Sequence, residues 1–176
     1  MEKSGFFNSS DGDRVYDAID FAAYFGSLVS NGVFYATASN LQATPGSGLA
    51  VSVAAGGAWI SGYRYENTDA LNLALTTANG SNPRIDRVVV RLSKVSRSIR
   101  LAVVAGTPAA TPAAPALTRT SDVYELGIAD VLVPAAATSI VANNITDTRL
   151  NTSLCGLVNS LVTESMNKGV NNSGGY

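Results

Sequence analysis

Three aspartates, Asp86, Asp130 and Asp147, are the candidates for catalysis in this chain, because two carboxyl groups held about 5 to 9 Å apart can cleave a glycosidic bond. Other familiar routes are closed. The sequence has no histidine, which removes the commonest general base, the usual zinc ligand and every Ser-His or Cys-His nucleophile pair. Each aspartate also has an arginine to satisfy it, Arg84, Arg87 or Arg149, and strand-borne Asp and Arg commonly neutralise one another. The three therefore read as structural ion pairs, and no catalytic residue is expected.

Asp11-Gly12-Asp13 opens like a calcium loop but lacks the further alternate oxygen ligands and the closing Glu in register, so it reads as a helix cap and no metal is expected. Gly46-Ser47-Gly48 and Gly56-Gly57 are not followed by Gly-Lys-Ser/Thr and open no helix, which makes them turn glycines and not phosphate cradles. The lone Cys155 can form no intrachain disulfide and has no basic neighbour to activate it. It reads as a small buried apolar residue. No cofactor is expected.

Aromatic faces stack on sugar rings, so Tyr63 and Tyr65 are the candidate saccharide contacts. Packing accounts for them as well: by period two, Trp59, Ser61, Tyr63 and Tyr65 share one face of a single strand, with Trp59 filling the core and the tyrosines toward its edge.

The elements that must hold these residues follow from periodicity. Val15, Ala18, Ile19, Ala22, Phe25 and Val29 recur at helical spacing and predict one amphipathic helix over residues 13–30, capped by Asp11 or Asp13 and stopped at Gly32. Tyr16, Phe21 and Tyr24 fall off that stripe and make a second apolar surface. Beyond Val33 the period becomes two, with strands around residues 49–54, 59–67, 71–75, 84–94, 98–105 and 124–133 and a short edge near 139–148. Prolines 108, 112 and 115 make residues 106–117 an extended crossover. Leu154, Leu157, Val158 and Leu161 predict a short helix. The expected class is α+β, mostly antiparallel: an N-terminal arm and helix over residues 1–33, a β-sandwich or barrel-like domain over 34–150, a short helix over 151–168 and a flexible tail over 169–176.

Composition narrows the partners. With 46% hydrophobic residues the chain can bury a core, while a charged fraction of 14% and a net charge of −1 leave no basic excess for nucleic acid phosphates or anionic lipids. No apolar run approaches the ~18 residues of a spanning helix and no signal peptide opens the sequence, so neither nucleic acid binding nor membrane insertion is expected.

Three stretches, Gly56-Gly57-Ala58-Trp59-Ile60-Ser61-Gly62-Tyr63-Arg64-Tyr65, Arg84-Ile85-Asp86-Arg87-Val88-Val89-Val90-Arg91-Leu92 and Ile145-Thr146-Asp147-Thr148-Arg149, carry a resemblance in their order and spacing. So do Phe6-Phe7-Asn8-Ser9, Asp11-Gly12-Asp13-Arg14-Val15-Tyr16, Ala114-Pro115-Ala116-Leu117-Thr118-Arg119 and Tyr124-Glu125-Leu126. The chain resembles an N-terminal module of tail baseplate and receptor-binding proteins from phages of Gram-positive bacteria. The resemblance implies a noncatalytic virion structural protein, made in the host cytoplasm and acting in host adsorption. It also implies a homotrimeric or higher assembly, other tail proteins as partners, and cell-wall saccharide reached through a distal module. The assembly-facing residues would be Phe6, Phe7, Tyr16, Phe21 and Tyr24, with Leu154, Leu157 and Leu161 on a helix near the symmetry axis. A self-standing carbohydrate-binding module using Tyr63 and Tyr65 is the competing reading.

Overall fold

Strands form where valine, isoleucine and leucine alternate, since branched side chains suit a pleated surface buried on one face. The computed structural model describes residue 2 and residues 4–162. One helix, α1 (Ala18–Leu28), precedes β1 (Gly32–Val33), β2 (Ala43–Pro45), β3 (Ala50–Val53), β4 (Gly56–Ile60), β5 (Tyr63–Asn67), β6 (Leu71–Ala74), β7 (Arg84–Ser93), β8 (Ser98–Val104) and β9 (Val123–Val133). A 3₁₀ turn at Ala142–Asn144 leads into β10 (Ile145–Asp147). The strands make three antiparallel sheets, ordered β1-β4-β5, β10-β9-β7-β8 and β2-β3-β6. Their inner faces meet in one core, with Val33, Val51, Val53, Ile60, Val88 and Ile128 fully buried. Mostly antiparallel β structure behind an N-terminal helix is what the periodicity predicts.

The central pair β7 and β9 carries a bulge at Ile128, since Val88 faces Ala129 while Val89 faces Gly127. The extra residue switches which side chains of β9 point inward, from Tyr124 and Leu126 before it to Ala129, Val131 and Val133 after it. Thr148 fills the irregularity by donating its Oγ1 to the Gly127 carbonyl at 2.7 Å and its amide to that of Ile128 at 3.1 Å.

The helix is shorter than its stripe predicts and turns that stripe outward. It starts at Ala18 because Asp17 accepts the amides of Ile19 (2.8 Å) and Asp20 (3.2 Å), while the Asp20 carboxylate accepts that of Asp17 at 3.1 Å. Asp13 instead closes a local turn by accepting the Ser10 amide at 2.8 Å. The helix ends as Val29 becomes extended, and Gly32 lies within β1. Only Ala22 of the helix is buried; Val15 before it is 85% exposed and Ile19 69%, so most of the apolar stripe faces water.

The reason is the way α1 docks. Residues 59–67 are not one strand: Ser61 and Gly62, at φ 52° and 82°, form a two-residue reversal that pairs Ile60 with Tyr63. The backbone of Ala22 rests directly on this turn, where a Cβ on Gly62 would collide with the Ala22 carbonyl oxygen. Contact through small residues leaves the large ones outside. Gly62→Val should therefore release α1 while the strands persist: helical ellipticity and the Trp59 emission maximum should change, the latter to the red, with strand ellipticity retained. An unchanged Trp59 spectrum would show that the turn does not hold the helix.

The helix expected after residue 151 does not form over residues 151–160. Residues 151–155 make a tight turn, Cys155 donating to the Asn151 carbonyl at 2.8 Å, and Gly156 at φ 84° breaks helical continuity. The chain then runs extended beside β1, with Val33 donating to Gly156 (3.0 Å), Val158 to Val33 (3.1 Å) and Ser30 to Asn159 (2.9 Å). Gly32 is required at this crossing, because a Cβ there would lie 2.5 Å from the Leu157 carbonyl carbon. Leu161 and Val162 begin a helical turn. Residues 163–168 of the expected helix and the tail 169–176 lie outside the described residues.

Candidate functional site

The aspartates proposed for chemistry are all committed to arginines. Arg84 and Asp86 project from β7 on the same face as Val88, Val90 and Leu92, at the end of the core, where a lone charge would be strongly disfavoured. Arg84 holds Asp86 through two bonds of 2.8 and 3.1 Å, and their side chains are 4% and 0% exposed. On the opposite face, Arg87 forks onto Asp130 across the strand pair at 2.7 and 2.8 Å and reaches the Pro115 carbonyl at 2.6 Å. Donating to the Asp130 carboxylate raises the Arg87 guanidinium above its ordinary pKa. Arg149 clasps both oxygens of Asp147, donates to the carbonyls of Ala38 (2.9 Å) and Asn40 (2.6 Å), and stacks 5.5 Å from the Tyr35 ring centre. None of these acids is free to work as an acid and base pair.

Sequence reasoning missed a fourth pair. Arg91 donates to Glu125 at 2.6 Å, and the other Glu125 oxygen accepts the Thr118 amide at 2.7 Å. Through Pro115 and Thr118, two of the pairs pin the proline-rich crossover onto the sheet. Cys155 is buried as expected, and burial pushes its thiol up to about 12, away from thiolate chemistry. No metal-ligating cluster of His, Cys, Asp and Glu occurs among the described residues.

The N-terminal candidates converge. The Tyr16 hydroxyl accepts the Phe7 amide at 2.9 Å, folding the arm back so that Phe6 packs on Tyr16, Phe21 and Tyr24 at 5.3, 5.6 and 4.9 Å between ring centres. Phe7 lies under the Arg14 guanidinium at 5.4 Å. The ring chain continues from Tyr24 through Phe25 to Trp59 and Phe34. Phe6, Phe7, Phe21 and Tyr24 remain 46%, 58%, 47% and 47% exposed, so the cluster stays open to water. Trp59 is corrected from core filler to the link between helix and sheet: its neighbours Ala58 and Ile60 point inward, and its Nε1 is enclosed without an acceptor among the described residues. Leu154 and Leu157 do not join this cluster. They are partly buried on their own chain, Leu154 lying in the turn and Leu157 packing against the core, while Leu161 stands at the start of the last described turn.

Tyr63 and Tyr65 line a cleft of about 840 Å³ between α1, β5 and the loop joining β7 to β8. Both are half-buried, and burial raises the Tyr65 phenol above its ordinary pKa. Comparison with protein-family models, with curated proteins and with solved structures finds no match to this chain.

Proposed function

We propose that this protein is a noncatalytic structural component of a phage tail baseplate, a homo-oligomer, with a trimer as the favoured order, that docks onto the tail tip and supports host adsorption. The observation that carries this reading is the open aromatic cluster of Phe6, Phe7, Tyr16, Phe21 and Tyr24. Aromatic side chains left in water at such density mark a surface meant to be covered, and the arm that presents them is tied to its own chain chiefly through Phe6 and Tyr16. Four bound carboxylates and an inert thiol are consistent with a scaffold. Deleting residues 1–12 should leave the β-region folded, with unchanged strand ellipticity, and sharply reduce incorporation into particles. Normal incorporation of the deletion would remove the reading.

A second reading, a saccharide-binding module, is favoured by the cleft beside Tyr63 and Tyr65. Its volume falls within the range of about 300–1,000 Å³ in which ligand sites are found, and its aromatic lining suits sugar rings.

A further inference from the structure

The cleft is lined by more than tyrosines. From β5 come Tyr63 and Tyr65, two residues apart on one face and so about 7 Å apart along the strand, and Leu92 and Ile99 add apolar surface from the opposite wall. Neither phenol hydroxyl has a hydrogen-bond partner among the described residues. At the rim the loop between β7 and β8 contributes Lys94 and Arg97, both exposed. Among the described residues neither cation has a carboxylate partner, whereas Arg64, also at the rim, is paired with Glu66 at 2.9 Å. The chain as a whole carries a net charge of −1, so two uncompensated cations above an aromatic shelf form a local exception. They sit where a ring-stacked ligand would present its substituents.

We infer that this cleft binds an anionic saccharide, with Tyr63 and Tyr65 receiving the ring faces and Lys94 and Arg97 receiving a carboxylate or phosphate carried on the sugar. The inference rests on the saccharide reading of the cleft and adds the charge of the ligand to it. Uncharged sugar rings would use the tyrosine shelf alone and leave both cations without a role. An acidic peptide would be drawn to the cations and leave the free phenol hydroxyls and flat ring faces to chance contacts.

The test is calorimetric titration of the full chain with tetragalacturonate and with its methyl ester, a neutral molecule of the same rings, and with tetraglutamate as the peptide control. The acid should bind about tenfold more tightly than the ester at low salt, the sum of two exposed ion pairs, and the margin should shrink as salt is raised. The double variant Lys94→Gln/Arg97→Gln, changed only at exposed loop positions, should erase that margin and keep the ester's affinity. A phosphorylated tetrasaccharide run beside the uronate distinguishes phosphate from carboxylate as the preferred anion. Equal binding of acid and ester would overturn the charge inference and leave the saccharide reading standing. Absence of binding by either at millimolar concentration would overturn both. Binding of tetraglutamate as tight as that of the acid sugar would reassign the cleft to a peptide.

Discussion

Asp86→Asn should cost about 3–5 kcal/mol of folding stability, the usual loss when one partner of a buried ion pair is removed. The carboxylate is fully buried and accepts three bonds, two from Arg84 and one from the Gly106 amide at 2.8 Å. Asparagine keeps the shape but turns an amide group toward a guanidinium and leaves the Arg84 charge uncompensated in the core. Arg84 cannot escape to water, because it is also held by the carbonyls of Thr76 (2.6 Å) and Thr77 (2.9 Å). Urea unfolding followed by ellipticity measures the effect. A loss below about 1 kcal/mol, the range of exposed pairs, would mean that the site relaxes or admits water.

Arg149→Met should cost about 2–4 kcal/mol for a different reason, since carbonyls left without their donor cost about 1–3 kcal/mol where buried. Arg149 is 2% exposed and binds the loop around residues 38–40 to the end of β10. Without it the Ala38 and Asn40 carbonyls lose their donor, and Asp147, 44% exposed, is left beside them. The pH dependence separates this variant from a generic core defect. Hydrogen bonds from Arg149 hold the Asp147 carboxyl below its ordinary value of 3.8. Its stabilising contribution is therefore whole above 3.8 and is lost as pH falls through the lowered value. The variant lacks that contribution already, so the gap between native and variant protein should narrow in acid. A gap constant from neutral to strongly acidic solution would show that Asp147 is not coupled to Arg149.

Where two charged residues sit two apart along the chain, as Arg84 with Asp86 on β7 and Asp147 with Arg149 at the end of β10, their pairing can be read from the sequence. Glu125 and Asp130 are five apart and should face opposite ways, yet both meet arginines on the same side of β7 because Ile128 inserts between them. A bulge has no reliable sequence mark here, so the Arg91 pair was hidden. The break between β4 and β5 was visible as Ser61-Gly62, a turn dipeptide that the aromatic alternation on either side outweighed. The apolar stripe on α1 set the helix's presence but not its orientation, which depended on one glycine opposite Ala22. For residues 152–161 the leucine spacing suggested a helix, but Gly156 and the unpaired edge of β1 favoured extension.

The pairing of residues 29–33 with 156–160 also sets how the protein bears mechanical load. Sequence separated by more than a hundred residues is joined there by Ser30 donating to Asn159 at 2.9 Å and by the Asn159 amide returning to Ser30 Oγ at 2.9 Å. Tension applied between the helix side and whatever follows Ser160 enters and leaves the β-region at this one seam. The load meets the bonds of Ser30, Asn159 and Val33 before it reaches the inner strands of the sheets. A pull between these two segments would thus act first on a latch of a few hydrogen bonds.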